Sequence, residues 1–138
     1  MLKGSFFDIV NILRTDSGSG TNEVESSYRI RVRLNHTHPI FTGHFPGNPV
    51  VPGACQIRMI TEIISEITGE EVRLLEADNI KFLAMINPNE HPELTVNCQI
   101  KREDKHRIQV SATVTGDDKT FFKYKSIFKV NHHENVIK

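Results

Sequence analysis

Pro52-Gly53-Ala54-Cys55-Gln56-Ile57-Arg58-Met59-Ile60-Thr61-Glu62-Ile63-Ile64-Ser65-Glu66-Ile67-Thr68-Gly69 is the stretch that decides the fold of this chain. Ile57, Ile60, Ile64 and Ile67 recur at helical spacing and Ile63 widens the stripe, so one face of a helix is apolar and must be buried. Proline suits the first turn, where its missing N–H has no intrahelical acceptor, and glycine suits the C-terminal cap. The pattern predicts one long helix from near Pro52-Gly53 to near Thr68-Gly69.

On both sides of it the period changes to two. Tyr28, Ile30, Val32 and Leu34 alternate with Arg29, Arg31 and Arg33. Leu94, Val96, Cys98 and Ile100 alternate with Thr95, Asn97, Gln99 and Lys101, and Ile108, Val110, Ala112 and Val114 with Gln109, Ser111, Thr113 and Thr115. Phe122, Tyr124, Ser126, Phe128 and Val130 share a face opposite Lys123, Lys125 and Lys129. Each run predicts a strand with one buried face. Arg102-Glu103-Asp104-Lys105 and Gly116-Asp117-Asp118 read as hairpin turns, so the last three strands form an antiparallel meander. A further strand is expected over 72–84, joined to the meander by the Asn87-Pro88-Asn89 loop. Residues 5–14 read either as a strand or as a short helix. Residues 16–22 predict a flexible loop and 131–138 a polar tail in which His132 and His133 are solvated.

One helix among five or six antiparallel strands is an α+β layout. Wrapping the sheet around the helix, the hot-dog arrangement, buries the apolar stripe; a helix lying flat on an open sheet fits the periodicity equally.

The 138 residues suffice for one domain, 1–138, with a core of its own. Formal net charge is zero, so no global field attracts nucleic acid or membrane. Cys55 and Cys98 are too few and too distant for a disulfide framework or a zinc knuckle and read as buried thiols. His36 and His38 read as polar strand-end residues, and no metal site is expected. No apolar run approaches the roughly 20 residues that span a bilayer. The N-terminus lacks the unbroken apolar core of a signal peptide, so a cytoplasmic location is expected.

Immediately before the helix stands Gly43-His44-Phe45-Pro46-Gly47-Asn48-Pro49-Val50-Val51-Pro52-Gly53. Three prolines stiffen a loop that carries a histidine up to a helix N-terminus, whose free N–H groups can hold an oxyanion. This segment closely resembles the motif of the FabZ/FabA-type 3-hydroxyacyl-(acyl-carrier-protein) dehydratases. Pro39-Ile40-Phe41 before it and Asn79-Ile80-Lys81-Phe82 after the helix extend the resemblance, which covers about 25–130. It implies a hot-dog fold, a homodimer or trimer of dimers, and an active site between two protomers. It also implies elimination of water from a (3R)-3-hydroxyacyl thioester to a trans-2-enoyl thioester, in fatty-acid or related lipid or polyene synthesis, on an acyl carrier protein.

That elimination needs a base for the α-proton, an acid for the leaving hydroxyl and donors for the enolate-like oxygen. It exchanges no electrons and needs no cofactor. His44 matches the family's base, and the N–H of Gly53 its oxyanion donor. Phe45, Pro52, Ala54, Cys55 and Ile57 are expected to line the acyl site. The family's acid, a glutamate or aspartate five residues after the glycine, is here Arg58. Arginine cannot donate a proton at neutral pH, and its charge depresses the pKa of a nearby His44.

Three explanations compete. Glu62, one turn on, supplies the carboxylate from a shifted position with Arg58 orienting it, or the two are a plain i,i+4 ion pair. Alternatively, a second hot-dog subunit supplies the acid in a heteromer. In the third reading the chain binds acyl thioesters without dehydrating them, or hydrolyses them as a thioesterase, with Arg58 anchoring a polar or carboxylate-bearing acyl end. Carrier proteins are acidic, so docking calls for a basic face, and Arg29, Arg31 and Arg33 or Lys123, Lys125 and Lys129 are candidates.

Overall fold

The computed structural model describes residues 1–16, 25–43 and 47–131. Its chain order is β1 (Phe7–Arg14), β2 (Glu25–Leu34), a single-turn α1 (Ile40–Gly43), α2 (Gly53–Thr68), β3 (Glu71–Phe82), β4 (Glu93–Arg102), β5 (Arg107–Gly116) and β6 (Lys119–Asn131). The six strands form one antiparallel sheet in the order β1-β2-β4-β5-β6-β3.

The helix starts and stops where its punctuation predicts. Pro52 is the N-cap, in extended geometry (φ −62°, ψ 146°) and without a side-chain cap. Gly69 ends the helix at φ 71°, a left-handed conformation that costs glycine nothing, and its N–H donates to Ser65 O at 2.9 Å. The buried stripe is Gln56, Met59, Ile60, Ile63 and Ile64. It packs into one continuous core with the inward residues of the sheet: Ile30, Val32 and Leu34 on β2, Leu94, Val96 and Cys98 on β4, Ile108, Val110 and Val114 on β5, and Phe122, Tyr124 and Phe128 on β6. The sheet therefore wraps the helix, and the flat alternative is set aside. Full burial of a side chain such as Ile60 contributes about 1.5–3 kcal/mol.

Residues 7–14, ambiguous in sequence, form strand β1, because their backbone pairs with β2 from Phe7↔Leu34 to Arg14↔Tyr28. Phe6, ahead of the strand, is fully buried and stacks on Phe41 at 5.5 Å. The expected 72–84 strand ends at Phe82, although the N–H groups of Leu83 and Ala84 still donate to Phe121 O. Asn131, placed by sequence in a polar tail, is the last residue of β6. Most of the expected 16–22 loop, and His132 and His133, lie outside the described residues; Asp16 accepts from Arg14 and from Ser27 N–H. The Gly116-Asp117-Asp118 turn is tight, with positive φ at Asp117 (49°) and Asp118 (62°), as a two-residue hairpin of right-handed strands requires.

Candidate active site

Helix α2 presents its first turn at one end of the sheet. The N–H groups of Cys55 and Gln56 both donate back to Pro52 O, at 3.0 and 3.2 Å. Gly53 and Ala54 are then the amides at the helix start with no acceptor inside the helix, the geometry an oxyanion needs. Val51, just before, is pinned by its N–H to Ile86 O at 2.9 Å, which fixes the direction from which the loop reaches the helix. His44 and Phe45 lie outside the described residues. Of the expected acyl-site residues, Pro52, Cys55 and Ile57 are half-buried and Ala54 is exposed at the helix start. Burial pushes the Cys55 thiol above its ordinary pKa, so it is a packing group and no thiolate nucleophile.

Phe82, which the sequence places at the end of a strand, stands at the helix start. A Cβ on Gly53 would stand 2.6 Å from Phe82 Cζ, so the ring lies directly over the helix start and only glycine fits beneath it. Phe82 in turn stacks on Phe122, with centroids 4.8 Å apart and planes 17° apart, and Phe122 contacts Tyr124 at 5.2 Å. This aromatic shelf is more than half exposed at Phe82. The signal lay in the phenylalanine closing Asn79-Ile80-Lys81-Phe82, but pairing it with Gly53 needs the fold.

Arg58 and Glu62 stand together on the outer side of α2. Arg58 Nε donates to Glu62 Oε2 at 3.1 Å; the arginine side chain is 59% exposed and the glutamate only 9%. The carboxylate has further partners. Leu2 N–H donates to both of its oxygens, at 2.7 and 3.0 Å, and Lys3 N–H donates to Oε1 at 2.8 Å. Lys3 Nζ pairs with Glu66 Oε1 at 2.9 Å. Burial by itself raises the Glu62 carboxyl, but the two backbone donors and the Arg58 guanidinium outweigh it, and its pKa falls below the ordinary carboxylate value. Glu62 is thus an ionised anchor for the N-terminal segment. The ion-pair reading describes its contacts, extended by amides some 60 residues away in sequence.

Burial pushes Cys98 and Tyr124 each up to about 12. His38 Nδ1 accepts from Ile40 N–H at 3.1 Å, and its ring meets Phe6 edge-on. Among the described residues no three His, Cys, Asp or Glu side chains gather to hold a metal ion.

Comparison with known proteins follows the same lines. The family model described as ApeI-like, ApeI dehydratase, matches residues 20–125. The chain is 31% identical over 88 residues to a 3-hydroxyacyl-(acyl-carrier-protein) dehydratase FabZ of Ehrlichia chaffeensis, covering 60% of this chain and 62% of that enzyme's length. It is 29% identical over 103 residues to the FabZ of Herpetosiphon aurantiacus, covering 68% and 73%. Among solved structures it superposes on the dehydratase heterocomplex ApeI:P of Xenorhabdus doucetiae with a TM-score of 0.59 at 20% identity, covering 88% and 96%. A hypothetical thioesterase of Streptococcus pneumoniae, solved with coenzyme A, matches with a TM-score of 0.59 at 12% identity, covering 92% and 88%. These structural likenesses establish the hot-dog fold, and with the match over residues 20–125 the chain belongs to the ApeI-like dehydratase family.

Proposed function

We propose that this chain is a 3-hydroxyacyl thioester dehydratase subunit that supplies the base and the oxyanion donors, while the acid comes from a second hot-dog subunit. The observation that carries the reading is the start of α2. The first amides of the helix, Gly53 and Ala54, have no helical acceptor, the Phe82 ring stands over them, and in sequence His44 precedes Gly53 by nine residues. His44 removes the α-proton, and the Gly53 N–H stabilises the oxygen of the resulting enolate. Pro52, Ala54, Cys55 and Ile57, with Phe45, hold the acyl group.

The acid is assigned to a partner because neither candidate on α2 suits the role among the described residues. Arg58 stands at the family's acid position. Glu62, one helical turn on, already accepts three backbone contacts and the Arg58 guanidinium, and its lowered pKa keeps it ionised where a general acid must be protonated. The pair engages the Nε of Arg58, whose side chain is otherwise 59% exposed. A partner subunit is supported by the edge strand β3 and the segment after it, which expose Leu75, Ile80, Phe82, Leu83 and Met85. The solved ApeI:P relative is itself a heterocomplex. The substrate is carried by an acyl carrier protein in the cytoplasm, where Cys55 and Cys98 stay free thiols.

The test is hydration of a trans-2-enoyl thioester on acyl carrier protein, with the chain alone and after co-expression with a second hot-dog subunit from the same genome. Turnover that needs the pair and disappears with His44→Ala supports the proposal. Full turnover by the chain alone refutes the partner's role, and no turnover by either preparation refutes the dehydratase reading.

A further inference from the structure

The outer face of the sheet gathers three lysines around a cavity. On β3 the register slips between Asp78, which faces Lys125, and Lys81, which faces Lys123. Three residues of β3 thus answer two of β6, with Asn79 held at φ 52°. A bulge of this kind changes which side of the sheet the following residues face. Without the extra residue Ile80 would oppose Lys123, and Lys81 would point into the core. With it, Phe82 goes inward onto Phe122, and Lys81 goes outward to stand directly across from Lys123.

Like charges directly opposite in an antiparallel pair destabilise a sheet. Here they stand beside a third lysine and an open cavity of about 420 Å³, lined among others by Asn79, Lys81, Ser111, Thr113, Lys123 and Lys125. In register, Thr113 faces Lys123 and Ser111 faces Lys125 on the neighbouring strand, so hydroxyls flank the ammonium groups. No residue lining the cavity carries a carboxylate. Asp78, opposite Lys125, is the acid nearest in the register and offsets one charge of three. None of the three lysines forms an ion pair among the described residues. The arginines of β2 differ: Arg31 and Arg33 both lean on Glu93, at 3.7 and 3.2 Å, and Arg29 donates to Asn97.

We infer that Lys81, Lys123 and Lys125, with the Ser111 and Thr113 hydroxyls, form a binding site for a phosphate ester of the kind that tethers an acyl thioester arm to a carrier protein or to a nucleotide. Converging ammonium groups in a concave site attract a doubly charged phosphate, and flanking hydroxyls complete its hydrogen bonds. The same Lys81-Phe82 step places the site back to back with the ring that covers Gly53. Assigning the phosphate to an acyl thioester arm rests on the dehydratase reading; the anion site itself does not.

The test uses the purified full chain with inorganic pyrophosphate and with coenzyme A as probes, followed by titration calorimetry at low salt. The variants are Lys81→Gln/Lys123→Gln and, as a control on another part of the same face, Lys101→Gln. Both probes should bind the wild type and the control alike and lose about tenfold or more in affinity with the double variant. Without a probe, the double variant should melt no lower than the wild type, because a like-charge pair has been removed. In the kinetic arm, KM for carrier-borne and coenzyme A-borne enoyl substrates should rise in the double variant, with an N-acetylcysteamine thioester, which has no phosphate, unchanged. A rise confined to one phosphorylated substrate identifies that source. Equal probe affinity in wild type and double variant overturns the site. Probe binding lost in the double variant, with no turnover of any thioester by any preparation, upholds the anion site and removes the dehydratase reading.

Discussion

Replacing Glu62 by glutamine separates the anchor from the acid. In the native chain the carboxylate, 9% exposed, accepts Leu2 N–H, Lys3 N–H and Arg58 Nε. Hydrogen bonds to a charged group are worth roughly 1.5–3 kcal/mol each, but the amides of an N-terminal segment can turn to water once released. The exposed Arg58 pair adds only about 0.3–0.5 kcal/mol. The expected loss in Glu62→Gln is therefore about 2 kcal/mol, or roughly 8 °C in Tm for a chain of this size. The pH dependence carries the sharper test. Because the folded carboxyl titrates below its ordinary value of 4.5, its contribution is fully present above about pH 4.5 and is lost as the pH falls through the lower folded value. Wild type and Glu62→Gln should differ most near neutral pH and converge on acidification. Urea denaturation at several pH values measures both, and the pairing reaction with a partner subunit, scaled for folded protein, should survive the substitution. A variant as stable as the wild type at pH 7 refutes the anchor, and turnover abolished in a variant that remains folded restores Glu62 as the acid.

Three further outcomes follow from the same geometry. Gly53→Ala should push Phe82 off its stack on Phe122 and cost about 1–2 kcal/mol, and Phe82→Ala in the same chain should remove that penalty, giving a clear coupling energy in a denaturant double-mutant cycle. Arg58→Glu places a carboxylate at the family's acid position; hydration by the chain alone should rise by on the order of 10² or more, read with the carrier-borne enoyl substrate. Ile60→Ala removes a fully buried side chain from the middle of the helix stripe and should cost about 2–5 kcal/mol by urea denaturation.

The helix and the outer turns were legible because they are local. Ile57 to Ile67 state a helical period, Gly69 states a left-handed end, and the Asp117-Asp118 turn states a tight hairpin. The strands of the meander followed from alternation alone. Strand order did not, since period two tells which face is buried but not which neighbour lies alongside, and β3 pairs with β6 rather than with the meander's other edge. β1 was ambiguous because Ile9-Val10 and Ile12-Leu13 put apolar side chains on both faces; Val10, Ile12 and Leu13 remain exposed. The bulge at Asn79 breaks alternation by one residue and hides the outward turn of Lys81. At the site, the motif from His44 to Gly53 and the anomaly at Arg58 were visible directly. Phe82 over Gly53 and the N-terminal amides on Glu62 were not, because each joins residues far apart in sequence that only the wrapped sheet brings together.

The proposed reaction divides between a base with its oxyanion donors, assigned to this chain, and an acid from elsewhere. Exchange of the α-proton of a saturated acyl thioester with deuterated water isolates the first half, because it needs the base and the donors but no acid. The purified chain should catalyse that exchange, and His44→Ala should reduce it to the uncatalysed rate. No exchange in the wild type, or exchange undiminished in His44→Ala, contradicts the assignment of this chain as the base-bearing subunit of a dehydratase.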